Sequence, residues 1–194
     1  MDTAPTGETL RLLSFPDVTN WYLDKGFATI RRLMKIAKAT VGKFMDMPLP
    51  SDEVLESVED IKDNMSKVKV ILEDSKSTTV RLVVNPEKMV IRETMRAYTY
   101  LSLYNKNVEA IVVNRVLPPE AGESAFFVDK MKEQKENLEM IHNAFDPMEI
   151  RYCEMMKTEL RGEEKLRAMA RMIFEDEDPA KVYSDASPMR FETV

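Results

Sequence analysis

Two short β-branched runs, TTVRLVV (residues 78–84) and EAIVVNRVL (109–117), are nearly continuously apolar. Strands of that kind are covered on both faces, the usual condition of a parallel sheet. Between them, NPEKMVIRETMRAYTYLSLYN places Pro86 at a helix start and repeats Ile91, Met95, Tyr98 and Leu101 at helical spacing. Strand, amphipathic helix and strand make a βαβ unit, whose parallel strands are joined by a right-handed crossover. The class is therefore α/β. A further helix carries Phe127, Met131, Leu138, Ile141 and Phe145 on one side. PMEIRYCEM (147–155) is a third strand, weaker because polar residues alternate through it, and GEEKLRAMARMIFE (162–175) is a last helix.

The first third of the chain differs. Leu23, Phe27, Ile30, Met34, Ala37, Val41 and Phe44 recur at steps of three or four, predicting an amphipathic helix over about residues 20–45. MDMPLPSDE breaks it with two prolines, and Ser51 or Asp52 can cap the next helix. That helix carries Val54, Val58, Ile61, Met65, Val68 and Leu72 and runs to about residue 75. Four segments result: an opening loop and its continuation (1–19), a helical subdomain (20–77), an α/β portion (78–175), and a tail (176–194). The tail is rich in Asp, Pro and Ser and is expected to be mobile.

At 194 residues the chain is long enough for one ordinary core. A net charge of -6 without a dominant basic block argues against nucleic acid as a partner. Cys153 is the only cysteine, which excludes an intrachain disulfide and a Cys-only zinc site. No run of 18 apolar residues suggests an integral membrane protein, so a reducing cytoplasm is the expected setting. The 15 methionines suit irregular cores or adaptable apolar surfaces.

The chain opens MDTAPTGETLRLL, an acidic residue followed by small residues, Pro and Gly, then an apolar helical run. A nucleotide-contacting loop leaves a strand this way. Asp2 suits a Mg²⁺ held through water, and Gly7 lets backbone amides approach a terminal phosphate. A bare D-x-x-x-x-G also fits a capping Asp and a turn Gly; the full hexamer is more specific. DTAPTGETLRLLSFP resembles the second switch of the ArsA family of ATPases. That family includes arsenical pump-driving ATPases and targeting factors for tail-anchored membrane proteins. Glu8 stands where the family run has His. The resemblance continues through VVNPEKMVIRETMRAYTYL, AIVVNRVLP and ELRGEEKLRAMA in family order, up to about residue 179.

The resemblance implies part of a P-loop NTPase-like parallel sheet of about three strands, with flanking helices and an inserted helical subdomain. It implies ATP and Mg²⁺ as cofactors. Asp2 would approach the metal, and Thr3, Thr6 and Gly7 would lie in a switch spanning residues 3–9. Asn114 would recognise adenine, with Arg115 beside it in the family's Asn-Arg strand end. An amide can pair with both a donor and an acceptor on the adenine edge. The implied partners are a complementary amino-terminal ATPase half or a second copy, and an apolar client segment or a membrane pump subunit.

The sequence holds no G-x-x-x-x-G-K-[ST] run with which amides and Lys could surround phosphates. Gly42-Lys43 lacks the earlier glycine, because position 37 is Ala. The family's first switch is missing too. The expectation is therefore a carboxyl-terminal portion of an ArsA-type ATPase, contributing the second switch and the adenine side of a site, inactive by itself. The alternatives are a non-catalytic helical module that holds an apolar client through Met34, Met45, Met47 and Met65, or a truncated remnant. His142 reads as a surface histidine and Cys153 as a small buried residue. An exposed strand edge is expected at Val80–Val84 or residues 111–116, and the helical pair is expected to be the most independent element.

Overall fold

A computed structural model of the chain describes residues 6–40 and 52–184, with side chains for 7–26, 29 and 56–184. They fall into two compact units divided between Asp74 and Ser75.

The first unit contains α1 (Thr6–Thr40) and α2 (Asp52–Glu73). The long apolar period predicted a start near residue 20, but α1 begins fourteen residues earlier. Glu8 lies in its first turn, where a carboxylate complements the positive end of the helix dipole. Pro16 is buried inside α1, although an internal proline removes one backbone hydrogen bond and costs about 3 kcal/mol. Asp24 pairs with Lys62 at 2.5 Å and Asp17 with Lys69 at 2.7 Å. A step of seven residues back along α1 thus matches seven forward along α2, so the helices are antiparallel. Residues 41–51, including Met45, Met47 and the possible cap Ser51, lie outside the described residues.

The second unit is a parallel three-stranded sheet in the order β1 (Val80–Val84), β2 (Val108–Val116), β3 (Glu149–Glu154). Helix α3 (Lys88–Leu103) joins β1 to β2. A 3₁₀ turn (Pro119–Glu123) and α4 (Val128–Phe145) join β2 to β3, and α5 (Glu163–Phe174) follows. The three strands expected from sequence are all present, each within two residues of its expected bounds.

Register explains the core. Leu82 lies beside Ile111, Val84 beside Val113, and Ile111 beside Ile150. With Ile91, Ile141 and Phe145 from the helices they form one cluster, in which Val84, Ile91, Ile111, Val113 and Ile141 are wholly buried. Removing each such side chain from water contributes roughly 1.5–3 kcal/mol. Alternate residues point to the opposite face, where Val112 and Cys153 pack against Ile173 of α5. Cys153 is the small buried residue expected. His142 is exposed on α4 and shares a 2.6 Å hydrogen bond with the Tyr152 hydroxyl.

β2 is central, so residues 111–116 offer no free edge. β1 and β3 are the edges of this sheet, and Val83 of β1 is 60% exposed.

Within the segment expected as a tail, residues 179–184 bond to the sheet of the same unit. Arg81 donates to the carbonyls of Pro179 (2.6 Å) and Lys181 (2.7 Å), and Asn107 donates to that of Ser184 (2.6 Å). The Tyr183 amide donates to the fully buried Glu109 carboxylate, which also accepts from Thr79 and Arg81. A buried carboxylate requires donors, and the segment supplies one. Composition alone gave no sign of that demand.

Candidate functional site

β2 ends irregularly. Its register with β3 slips between Val113 and Val116, so Asn114 and Arg115 form a bulge at the carboxyl end of the central strand. Arg115 has φ 56°, the left-handed region that costs a non-glycine residue about 1–2 kcal/mol. The Asn114 side chain offsets part of this, because its Oδ1 accepts the Arg115 amide at 2.9 Å. Among the described residues its Nδ2 makes no hydrogen bond, which leaves amide donors and a second Oδ1 lone pair for a ligand.

The surrounding loops are held by two buried polar side chains. Gln134 clamps Leu117, accepting its amide at 2.7 Å and donating to its carbonyl at 3.2 Å. Asn137 donates to the Pro86 carbonyl at 2.9 Å, fixing the turn after β1. Sequence reading passed over both residues. Their signal was a polar residue within the apolar face of α4, beside Met131, Leu138 and Ile141.

β3 is tied into the same corner: Met155 donates its amide to Val116 at 2.7 Å, and the Glu154 amide meets Met172 Sδ at 3.0 Å. Asn114, Arg115 and the segment after β3 line a cavity of about 570 Å³. Arg115 and Met155 also border a second cavity of about 460 Å³ beside Lys88, Lys130 and Gln134. Both lie at the carboxyl ends of parallel strands, where open α/β sheets bind their ligands. The volume suits a nucleoside-sized molecule. Burial and the neighbouring Glu154 push the Cys153 thiol up, so it is a poor nucleophile at this wall.

The other expected site residues belong to the first unit. Thr6 opens α1 and Gly7 lies in its first turn, so these two are helical where a loop was expected. A Cβ on Gly7 would meet nothing within 4 Å, so packing alone does not require glycine there. Asp2 and Thr3 lie outside the described residues. Among the described residues no group of three His, Cys, Asp or Glu side chains could hold a metal ion. None of the described helices is long and apolar enough to cross a membrane.

Comparison with known proteins places this geometry in context. The family model for anion-transporting ATPases matches residues 1–175. The protein named "Putative arsenical pump-driving ATPase 1" in Aquifex aeolicus is 37% identical over 197 residues, covering all of this chain and 50% of the relative. A like-named protein of Chlorobaculum tepidum is 36% identical, over 98% of this chain and 48% of its own length. ATPase GET3 of Pyricularia oryzae is 32% identical, over 89% of this chain and 51% of its own. The chain thus spans about half the length of the curated relatives it matches.

Proposed function

The chain belongs to the anion-transporting ATPase family, and from that premise we propose that its α/β unit supplies the base-binding side of an ATP site. The observation that carries the proposal is Asn114, presented at the carboxyl end of β2 by a strained bulge and bordering a cavity of nucleoside size. Its carboxamide pairs with the amino group and a ring nitrogen of adenine. Arg115, on the same bulge, borders both cavities at this end of the sheet. Asp2 would hold a Mg²⁺ ion through water, and that ion would neutralise charge on the phosphates. Thr6 and Gly7, in the first turn of α1, and Thr3 would sense the state of the terminal phosphate.

The groups that neutralise a transferring phosphoryl are what drive this class of reaction. With no phosphate-loop run in its 194 residues, this chain by itself does not turn ATP over. Catalysis needs a complementary polypeptide segment carrying that run. The edge of β1, open among the described residues, and the relatives' greater length support this reading. Such a segment would pair with β1 and cover Val83.

Calorimetric titration of the chain with Mg-ATP, beside Asn114→Ala, tests the proposal. Removing one partner of a buried hydrogen bond costs roughly 1–3 kcal/mol, so the variant is expected to bind at least several-fold more weakly. Equal affinities would remove Asn114 from the site. Mg-dependent turnover by the chain alone, lost on Asp2→Ala, would overturn the division of labour.

A second reading, a helical module that holds an apolar segment, is favoured by one observation. Leu12, Phe15, Trp21 and Tyr22 of α1 are each more than half exposed, as are Val70 and Ile71 of α2. Trp21 is the sole tryptophan, so its emission on titration with an apolar helical peptide reports such binding directly.

A further inference from the structure

We propose that residues 179–184 are a releasable strap: the amino-terminal end of the sheet is a groove that reads peptide main chain, and the chain fills it with its own segment. The groove lies at the opposite ends of the strands from Asn114, so it stands apart from the base-binding reading. A bulge builds it. Val80 lies beside Val108 but Arg81 beside Ala110, which leaves Glu109 as an extra residue in the central strand. Its fully buried carboxylate accepts from Thr79 and from Arg81 Nε, and so fixes the guanidinium. The other two guanidinium nitrogens donate to the carbonyls of Pro179 and Lys181. The second Glu109 oxygen accepts the Tyr183 amide, and Asn107 donates to the Ser184 carbonyl. Three side chains thus read four main-chain groups of the strap. The Tyr183 ring adds an anchor, its centroid 5.3 Å from the Arg81 guanidinium and 5.2 Å from that of Arg151.

Polar bonds hold the strap, and burial contributes little. It lies in neither helix nor strand, every residue of it except Tyr183 is exposed, and none joins either apolar cluster. A segment with so few buried apolar contacts opens locally, at less cost than the core around it. The chain turns into it just after α5 through Glu175, whose φ of 54° is left-handed. A residue with a side chain keeps that conformation only while its surroundings hold it, so release lets Glu175 relax. Release also opens a cavity of about 470 Å³, because Tyr183 and Ser184 form one wall of it and Phe145 and Met148 lie across from them.

A fluorescein-labelled peptide DPAKVYS, matching residues 178–184, tests this on the full chain by anisotropy. In the parent the tethered strap competes at high effective concentration, so uptake is weak. Tyr183→Ala loosens the strap and leaves Arg81, Asn107 and Glu109 in place. That variant is expected to take up the peptide about tenfold more tightly than the parent. Adding Asn107→Ala is expected to reduce this uptake about three- to tenfold, by loss of one main-chain bond. Hydrogen exchange separates a strap from a piece of core: the Tyr183 amide of the parent is expected to exchange well before the β2 amides at 110–113. A Tyr183 amide that exchanges only together with β2 would overturn the proposal. So would a Tyr183→Ala chain with a freely exchanging strap and a protected β2 that takes up no peptide.

Discussion

The helical hairpin and the α/β unit are stabilised in different ways. In the α/β unit, Ile91, Ile111, Val113 and Ile141 have no exposed surface, and buried polar side chains tie down the loops. In the hairpin, the described interactions include surface ion pairs, and Leu12 is 70% and Val70 66% exposed. Every fully buried apolar side chain among the described residues belongs to the second unit. Two helices cover one stripe of each other, whereas a central strand such as β2 is covered on both faces and paired on both edges.

The largest effect that would break this contrast concerns Arg81. Its guanidinium bonds the fully buried Glu109 carboxylate at 2.8 Å and holds residues 179–181. Arg81→Met leaves that carboxylate without its guanidinium partner, and removing one partner of a buried pair costs about 3–5 kcal/mol. Urea unfolding should show that loss in the α/β unit, and a variant as stable as the parent would deny that the pair matters. Ile141→Ala removes a fully buried side chain and should cost about 2–5 kcal/mol. The exposed Val70→Ala in α2 should stay within about 0.5 kcal/mol. Equal effects would erase the difference between the regions. Gln134→Ala leaves the amide and carbonyl of Leu117 unsatisfied, and is expected to cost about 1–3 kcal/mol and to weaken nucleotide binding with it.

One contact in each region should also loosen with pH. The Lys181 hydrogen bond holds the Glu177 carboxyl below the usual carboxylate range, with Tyr183 and Arg151 adding to it. Its contribution is therefore present above that range and lost as pH falls through the lowered value. In the hairpin, the Asp17 hydrogen bond holds Lys69 above the ordinary lysine value, against some loss from burial. That contribution is present below the ordinary lysine value and disappears as pH rises through the raised one. It is worth less than about 1 kcal/mol, because the pair is partly exposed. Tyr183 resonances followed into acid and Trp21 emission into alkali report the two events separately.

Much of the α/β unit was legible in the sequence because its strands are short, β-branched and bounded by turn residues. TTVRLVV and EAIVVNRVL can be little else. Asn114 and Arg115 stood out through a motif, but the left-handed backbone of Arg115 did not, since neither residue is glycine and the bulge arises from pairing with β3. Gln134 and Asn137 escaped because helical periodicity counts apolar residues and treats a polar one as an interruption. The early start of α1 escaped because Pro16 and the loop-like opening run outweighed Leu10 and Leu13 in local reading. Residues 176–184 are held by Glu109 and Arg81, partners roughly seventy to a hundred positions away, and local composition carries no trace of such distant bonds.

Hydrogen exchange on the full chain, with and without Mg-ATP, tests the central claim most directly. The amides of β2 should exchange slowest and those of α1 and α2 far sooner, as burial requires. Nucleotide should add protection at residues 114–117 and 154–160, and Asn114→Ala should abolish it. Hairpin amides that outlast β2, or nucleotide protection that leaves residues 114–117 unchanged, would contradict the account.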